Sequence, residues 1–385
     1  MNAPVRALGD DRVTVSAGEE ITQDDNVFRV SPAVTPSGGG EDTYRTTSVA
    51  LGVDVPVEEQ RFQGNFAVNS QRYDRFDVLD LDGHDGSVRW LWKVGGDLDG
   101  TIGYRDTLAL ASLANVQAGV QTAIPDTLAT RVSVFETVYR PAARWRLRGG
   151  WRSTDQANSA IEYRISDANI DTLEAGADYV TRADNRLGLV IRSADGRLPN
   201  PQFVGTTFVD NSYTERAIAV LAQWAVTGKS RVEASAGRLE RSYAQLPQRG
   251  YVGPTYDAKY EWRPIGRVVL EVSAHHGLSL YEEVQVGFVL SRGVSSRLSL
   301  GLGDKVSLSM AAEQAHRTYL GDAGLVLGNL PPTSEDLALR SLAVSYKPIP
   351  KMELAFALHD ARRVSTLQFS SYRVDTGTLG VRVRF

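Results

Sequence analysis

Apolar and polar residues alternate one by one along most of this chain. In "RWRLRGGWR" (144–152), Trp145, Leu147, Gly149 and Trp151 share one face, while Arg144, Arg146, Arg148, Gly150 and Arg152 take the other. "RVVLEVSAH" (267–275) sets Val268, Leu270, Val272 and Ala274 against Arg267, Glu271, Ser273 and His275. "KMELAFALH" (351–359) repeats the pattern with Met352, Leu354, Phe356 and Leu358 opposite Lys351, Glu353 and His359. A period of two is the mark of a strand with one apolar and one polar face, and few segments keep the i, i+3, i+4, i+7 spacing of a helix. A β-sandwich or a β-barrel could be built from such strands.

The links between strands separate those two architectures. Short, turn-like links fall at 54–59, 94–97, 140–144, 181–185, 226–230, 263–267, 302–305 and 347–351. Long polar links alternate with them, at 23–43, 74–82, 109–127, 155–170, 197–211, 244–252, 318–335 and 364–372, with one more placed near 278–290. That rhythm predicts about 18 strands of roughly 10–14 residues, the layout of a transmembrane antiparallel up-and-down β-barrel with short periplasmic turns and longer extracellular loops. Strands near ten residues, tilted, match the thickness of a bilayer. Residues 1–10 read as a mature N-terminal segment and 11–385 as a single transmembrane barrel domain.

Aromatic residues add an independent regularity. Trp92, Tyr139, Tyr179, Trp224, Trp262 and Tyr346 each stand just before a short turn, and Leu302 fills the one empty slot. A hairpin repeat of about 42 residues returns a ring to the same height each time, as in the aromatic girdles of membrane barrels. The plain alternative is that strands favour Trp and Tyr, but that does not place them at one end of every second strand. A propeller repeat has a similar period, yet its Trp-Asp and Gly-His signatures are missing.

Composition narrows the class further. The 385 residues carry 42 Lys+Arg against 46 Asp+Glu, so there is no basic excess to suggest nucleic acid. No cysteine is present, which removes disulfides, thiolate metal sites and a thiol nucleophile. Mean hydropathy is −0.23, and no apolar run is long enough for a transmembrane helix. "MNAPVRALGDD" has no hydrophobic core of a signal peptide, which fits either a cytosolic chain or one whose signal has been removed.

In a barrel of this size the inner wall should be polar. The face opposite the apolar one carries Arg61, Gln63, Asn65, Asn69 and Gln71, then Arg144, Arg146, Arg148 and Arg152, then Arg186 and Arg192, and finally Arg382 and Arg384. Acids share it: Asp97, Asp99, Glu215, Glu233, Glu271 and Glu353. The 144–152 ladder either guides an anionic solute or pairs with carboxylates of neighbouring strands; charge alternation alone is compatible with both.

Catalytic signals are thin. The histidines are His84, His275, His276, His316 and His359, and neither Gly-x-Ser-x-Gly nor His-Glu-x-x-His occurs. "DVLDLDGHDG" (77–86) gathers Asp77, Asp80, Asp82 and Asp85, but lacks the Gly and Glu positions of an EF-hand and reads as a hairpin tip. "SGGGED" (37–42) is a flexible loop without the Lys-Ser/Thr of a phosphate cradle. No enzyme, metal or cofactor is expected.

"DDNVFRV" (24–30), "RYDRFDVLDLDGHDGSVRW" (72–90) and "WKVGGDLDGTIGYR" (92–105) resemble segments of the EpsL-like outer-membrane β-barrel proteins of exopolysaccharide gene clusters, a porin-like group. The resemblance implies a conduit for a secreted polysaccharide, a removed signal peptide and the bacterial outer membrane. It also implies a periplasmic polysaccharide-export protein and an inner-membrane copolymerase as partners, besides membrane lipid. The alternative is a general or sugar-selective diffusion porin; an outer-membrane enzyme is a third reading.

The chain closes on "DTGTLGVRVRF", with Leu379, Val381, Val383 and Phe385 on one face. This segment should be the closing strand, paired to the first near 11–22. Its alternate apolar residues and terminal Phe resemble the assembly signal read by the barrel-insertion machinery.

Overall fold

The computed structural model describes residues 12–34, 39–111, 125–204, 206–278, 288–320, 334–366 and 370–385. In chain order the strands are β1 (Val13–Asp24), β2 (Asp42–Val57), β3 (Gln60–Tyr73), β4 (Leu81–Val94), β5 (Leu98–Leu110), β6 (Thr127–Ala142) and β7 (Trp145–Asn158). They continue as β8 (Ala168–Val180), β9 (Arg186–Arg197), β10 (Gln202–Val204), β11 (Thr207–Val209), β12 (Tyr213–Thr227), β13 (Ser230–Tyr243) and β14 (Tyr251–Trp262). The remainder are β15 (Val268–Leu278), β16 (Phe288–Leu302), β17 (Val306–Leu320), β18 (Ser334–Ile349), β19 (Met352–Ser365) and β20 (Tyr372–Arg384).

Every strand except β10 and β11 joins one antiparallel sheet of 18 strands. Neighbours in sequence are neighbours in space, β9 pairs with β12 across the small β10–β11 hairpin, and β20 returns to β1. The sheet is therefore a closed barrel, and the alternation of short and long links matches its two ends. The link placed near 278–290 is shorter than that, since β15 runs to Leu278 and β16 starts at Phe288; 279–287 and the 1–10 segment lie outside the described residues. Two of the short turns use glycine in the left-handed region, Gly95 (φ 62°) and Gly303 (φ 79°), where a Cβ would be strained.

Register partners share a face, so the two faces can be followed around the wall. Trp151, Phe135, Ile102, Trp90 and Phe62 form one unbroken row across β7 to β3. Val15, Leu51 and Phe66 form another. These side chains are exposed, as are Val88 at 59% and Leu379 at 62%. The strand residues that are buried, among them Thr22, Asp178, Glu215, Leu239, Arg241 and Glu335, alternate with that row and belong to the polar face. The barrel is thus inverted relative to a protein in water: apolar outside, polar inside. Such a continuous apolar exterior on a closed sheet has lipid as its solvent. No described helix is long and apolar enough to span a membrane; the strands do the crossing.

Candidate functional site

The inner wall is the candidate site, and its chemistry follows from which charges the register brings together. Arg148 and Arg186 converge on Asp178, which is fully buried. The Arg148 Nε lies 2.8 Å from one Asp178 oxygen and Arg186 Nη1 lies 3.7 Å away. Arg148 also reaches Glu174 at 3.7 Å. The close approach of Asp178 to β9 requires Gly188, because a Cβ there would collide with the carboxylate oxygen. One strand further, Arg192 and Arg241 hold Glu215 from both sides at 3.2 and 2.9 Å, and the Arg241 guanidinium stacks 4.0 Å over the Tyr213 ring. A third buried carboxylate, Glu335, sits between Arg317 (3.3 Å) and Arg363 (2.5 Å).

Other inward charges are less tied down. Arg152 on β7 and Arg89 on β4 are exposed, and neither side chain has a hydrogen-bond or ion-pair partner among the described residues. Between β9 and β15, Arg186, Gln223, Glu233, Ser235, Asp257, Lys259, Ser273 and His275 contribute to a cavity of about 520 Å³. Within it Gln223 donates to Glu233 (2.8 Å), and Lys259 at its wall pairs with Glu271 on β15 (2.6 Å). The wall thus offers donors, acceptors and both charges, which suits a hydroxyl-rich solute.

At the long-loop end, segments pack inward over the wall. Leu198, Tyr213, Tyr243, Leu246 and Phe288 form a buried cluster with Val209 and Tyr251 against it. Arg249, 1% exposed, pins this layer by donating to Gln202 (3.0 Å) and Asn211 (2.7 Å). A second cluster joins Val27, Phe28 and Leu79, with Tyr73 and Phe76 packed on it. Nothing in the local sequence announces these layers; the β10–β11 hairpin has three-residue strands, too short for a period to show.

The structure places the residues singled out in the sequence as follows. Arg61 pairs with Asp54 at 2.6 Å, and Gln63 donates to the same carboxylate. Asn65 faces the same side, in register with Gly52. Arg146 reaches Asp184 in the turn after β8 (3.2 Å). Arg144 departs from the ladder: it lies in the turn before β7 and donates to the hydroxyl of Tyr179, on the apolar face. Asp97 also lies in a turn, accepting from the Arg140 amide through its carbonyl. Glu353 accepts from Ser345 (2.6 Å), Arg382 approaches Glu20 (4.0 Å), and Arg384 shares their face at the end of β20.

Trp92, Tyr139, Tyr179, Trp224, Trp262 and Tyr346 all project from the apolar face close to the short turns. Trp145, on the ascending strand, joins them by packing edge-on to Tyr179 at 5.5 Å. Its position one residue after a turn is the signal that a search limited to residues before turns does not use. The aspartates of 77–85 are engaged locally: Asp80 accepts from the Tyr73 amide, Asp82 pairs with Arg72, and Asp85 pairs with Arg105. Among the described residues no group of three potential ligands could hold a metal.

No protein-family model matches the chain, and no curated protein does. Solved structures do. OccK2 (OpdF) of Pseudomonas aeruginosa superposes with a TM-score of 0.51 at 11% identity, covering 98% of each chain. The same protein in complex with glucuronate gives 0.50 at 12%, covering 98% of this chain and 96% of that one. The outer membrane protein OpdK of the same organism gives 0.49 at 14%, covering 97% and 98%. The fold is that of an outer-membrane porin-like barrel. With its apolar exterior, that fold belongs in the lipid of a bacterial outer membrane. The expected polysaccharide-export role is corrected here: the solved barrel this chain superposes on is OccK2, also seen in complex with glucuronate, and nothing supports the EpsL-like group specifically. Two of the motifs that carried the resemblance are the ends of β4 with the turns beside them, where Asp80 accepts from the Tyr73 amide and Gly95 takes a positive φ.

Proposed function

We propose that this chain is a selective diffusion porin for small polar solutes, with a preference for sugar-type and anionic ones. The carrying observation is the inner-wall row of guanidinium groups on β7 and β9 (Arg146, Arg148, Arg152, Arg186 and Arg192), flanked by the exposed Arg89. Most of that row is neutralised by Asp178, Glu174, Asp184 and Glu215, so the field it presents is carried by Arg152 and Arg89. The loop segments packed inward at the mouth support a narrowed entry in place of a wide conduit. A glucuronate complex of the OccK2 structure is in keeping with an acidic sugar as solute.

Arg61, Gln63, Asn65, Glu271, Glu353, Arg382 and Arg384 would complete the aqueous lining, and the aromatic ring would mark the periplasmic membrane boundary. The barrel forms one domain over 11–385, inserted by the assembly machinery through Leu379, Val381, Val383 and Phe385. Purified protein in planar bilayers and in liposome-swelling assays tests the function. Steady conductance is expected, with glucuronate passing at least as fast as glucose and dextran excluded. A barrel that conducts nothing, or passes dextran and glucose alike, overturns the proposal.

A further inference from the structure

The outer face carries a groove that solute passage does not use. It lies across β8, β9, β12 and β13 and encloses about 650 Å³, with Leu173, Ala175, Ile191, Ile218, Arg216 and Arg238 among its walls. Two register rows build it. The row nearer the long loops reads Trp151, Leu173, Ser193, Arg216, Glu240; the row below reads Gly149, Ala175, Ile191, Ile218, Arg238. Gly149, Ala175 and Ser193 are small, and they leave a trough between the large exposed side chains of Leu173 (61%), Ile191 (54%) and Ile218 (49%). The trough is apolar, with Arg216 in its upper row and Arg238 in its lower row.

Both arginines project outward from the barrel and are exposed, and neither side chain has a hydrogen-bond or ion-pair partner among the described residues. They are diagonal neighbours across the β12–β13 pair, about 7–8 Å apart at the backbone, so two flexible guanidinium groups can converge on one anion. Glu240 stands in register with Arg216 and offsets one of the two charges. Along β12, Arg216 is eight positions from Trp224, about 27 Å of strand and about 20 Å along the membrane normal at the usual tilt. An arginine at that height reaches from the top of an apolar band about 25 Å tall into the headgroup layer on the long-loop side.

We propose that this groove binds a phosphorylated lipid of the outer leaflet, with one acyl chain in the trough and its phosphate held by Arg216 and Arg238. A phosphate monoester carries about −1.5 to −2 charge, which complements two arginines and one glutamate. Arginine suits the role, because its planar donors grip phosphate oxygens in pairs. An unphosphorylated or zwitterionic lipid would fill the trough but leave the guanidinium groups without an anion in a poorly solvated layer.

The test is native mass spectrometry of the whole barrel released from detergent. The probes are a glucosamine-disaccharide bisphosphate carrying acyl chains, its dephosphorylated form, and phosphatidylcholine. Wild type should retain the bisphosphate at least fivefold better than either other lipid. Arg216→Gln/Arg238→Gln should remove that preference, and Ala175→Trp, which fills the trough but keeps both arginines, should lower retention of the bisphosphate severalfold. Equal retention of phosphorylated and dephosphorylated lipid by wild type overturns the proposal without any variant. So does an unchanged preference in the double variant, provided its heat-modifiable gel shift shows an intact barrel.

Discussion

Two stretches of the inner wall carry the same alternation of arginine and small residues and do opposite things with it. On β8 and β12, one carboxylate each is buried and held by two arginines: Asp178 by Arg148 and Arg186, and Glu215 by Arg192 with Arg241. On β4 and the loop-side half of β7, Arg89 and Arg152 extend without partners. The first arrangement keeps buried charge compensated, and its loss falls on the fold. The second leaves charge free to act on whatever moves through the pore. A ladder of arginines is therefore two devices, divided between Arg148 and Arg152 on one strand.

The division can be broken from either side. Asp178→Ala should have the largest effect, destabilising the barrel by about 3 kcal/mol in urea titrations of reconstituted protein, since it strands two arginines against a low-dielectric wall. Gly188→Ala should cost about 1–3 kcal/mol by forcing the Asp178 carboxylate out of its place, and Gly188→Ala/Asp178→Asn should cost less than the sum of the separate changes. Arg89→Glu/Arg152→Glu should leave stability within about 0.5 kcal/mol while moving the reversal potential toward cation preference in a salt gradient. Arg144→Gln, the smallest of the set, should change neither, because Arg144 sits at the turn with Tyr179. A selectivity shift from Arg144→Gln, or a stability loss from the Arg89/Arg152 pair, would erase the distinction.

How much of this could be read from the residues depends on which geometric quantity a claim needs. The period of two fixes which face a residue takes, so the barrel, the strand count, the polar lining and the outward aromatics follow from the order of residues in single strands. What it does not fix is register between strands. Arg148 and Arg152 are equivalent in "RWRLRGGWR"; only the pairing of Arg148 with Gly176 and of Arg152 with Thr172 puts Asp178 beside one of them. The groove at Arg216 and Arg238 escaped for the same reason, as its two arginines come from separate strands and meet only through the β12–β13 ladder. Arg144 misled because alternation was carried one residue past the strand, into a turn where the pleat no longer dictates direction. The inward-packed mouth was hidden because its contacts join loops far apart in the chain, as Arg249 does with Gln202 and Asn211.

The seam between β1 and β20 has a kinetic consequence. Ser16 pairs with Arg384, and the Thr22 and Thr378 hydroxyls meet at 2.9 Å across 356 residues of chain. Every other junction in the barrel joins strands close in sequence, so local hairpins can form early and at small entropic cost. The seam alone must wait until both edges exist, and until then each is an unpaired ladder open to a stranger's strand. Escort through the aqueous periplasm is thus a problem of guarding two edges for as long as it takes the slowest contact to form.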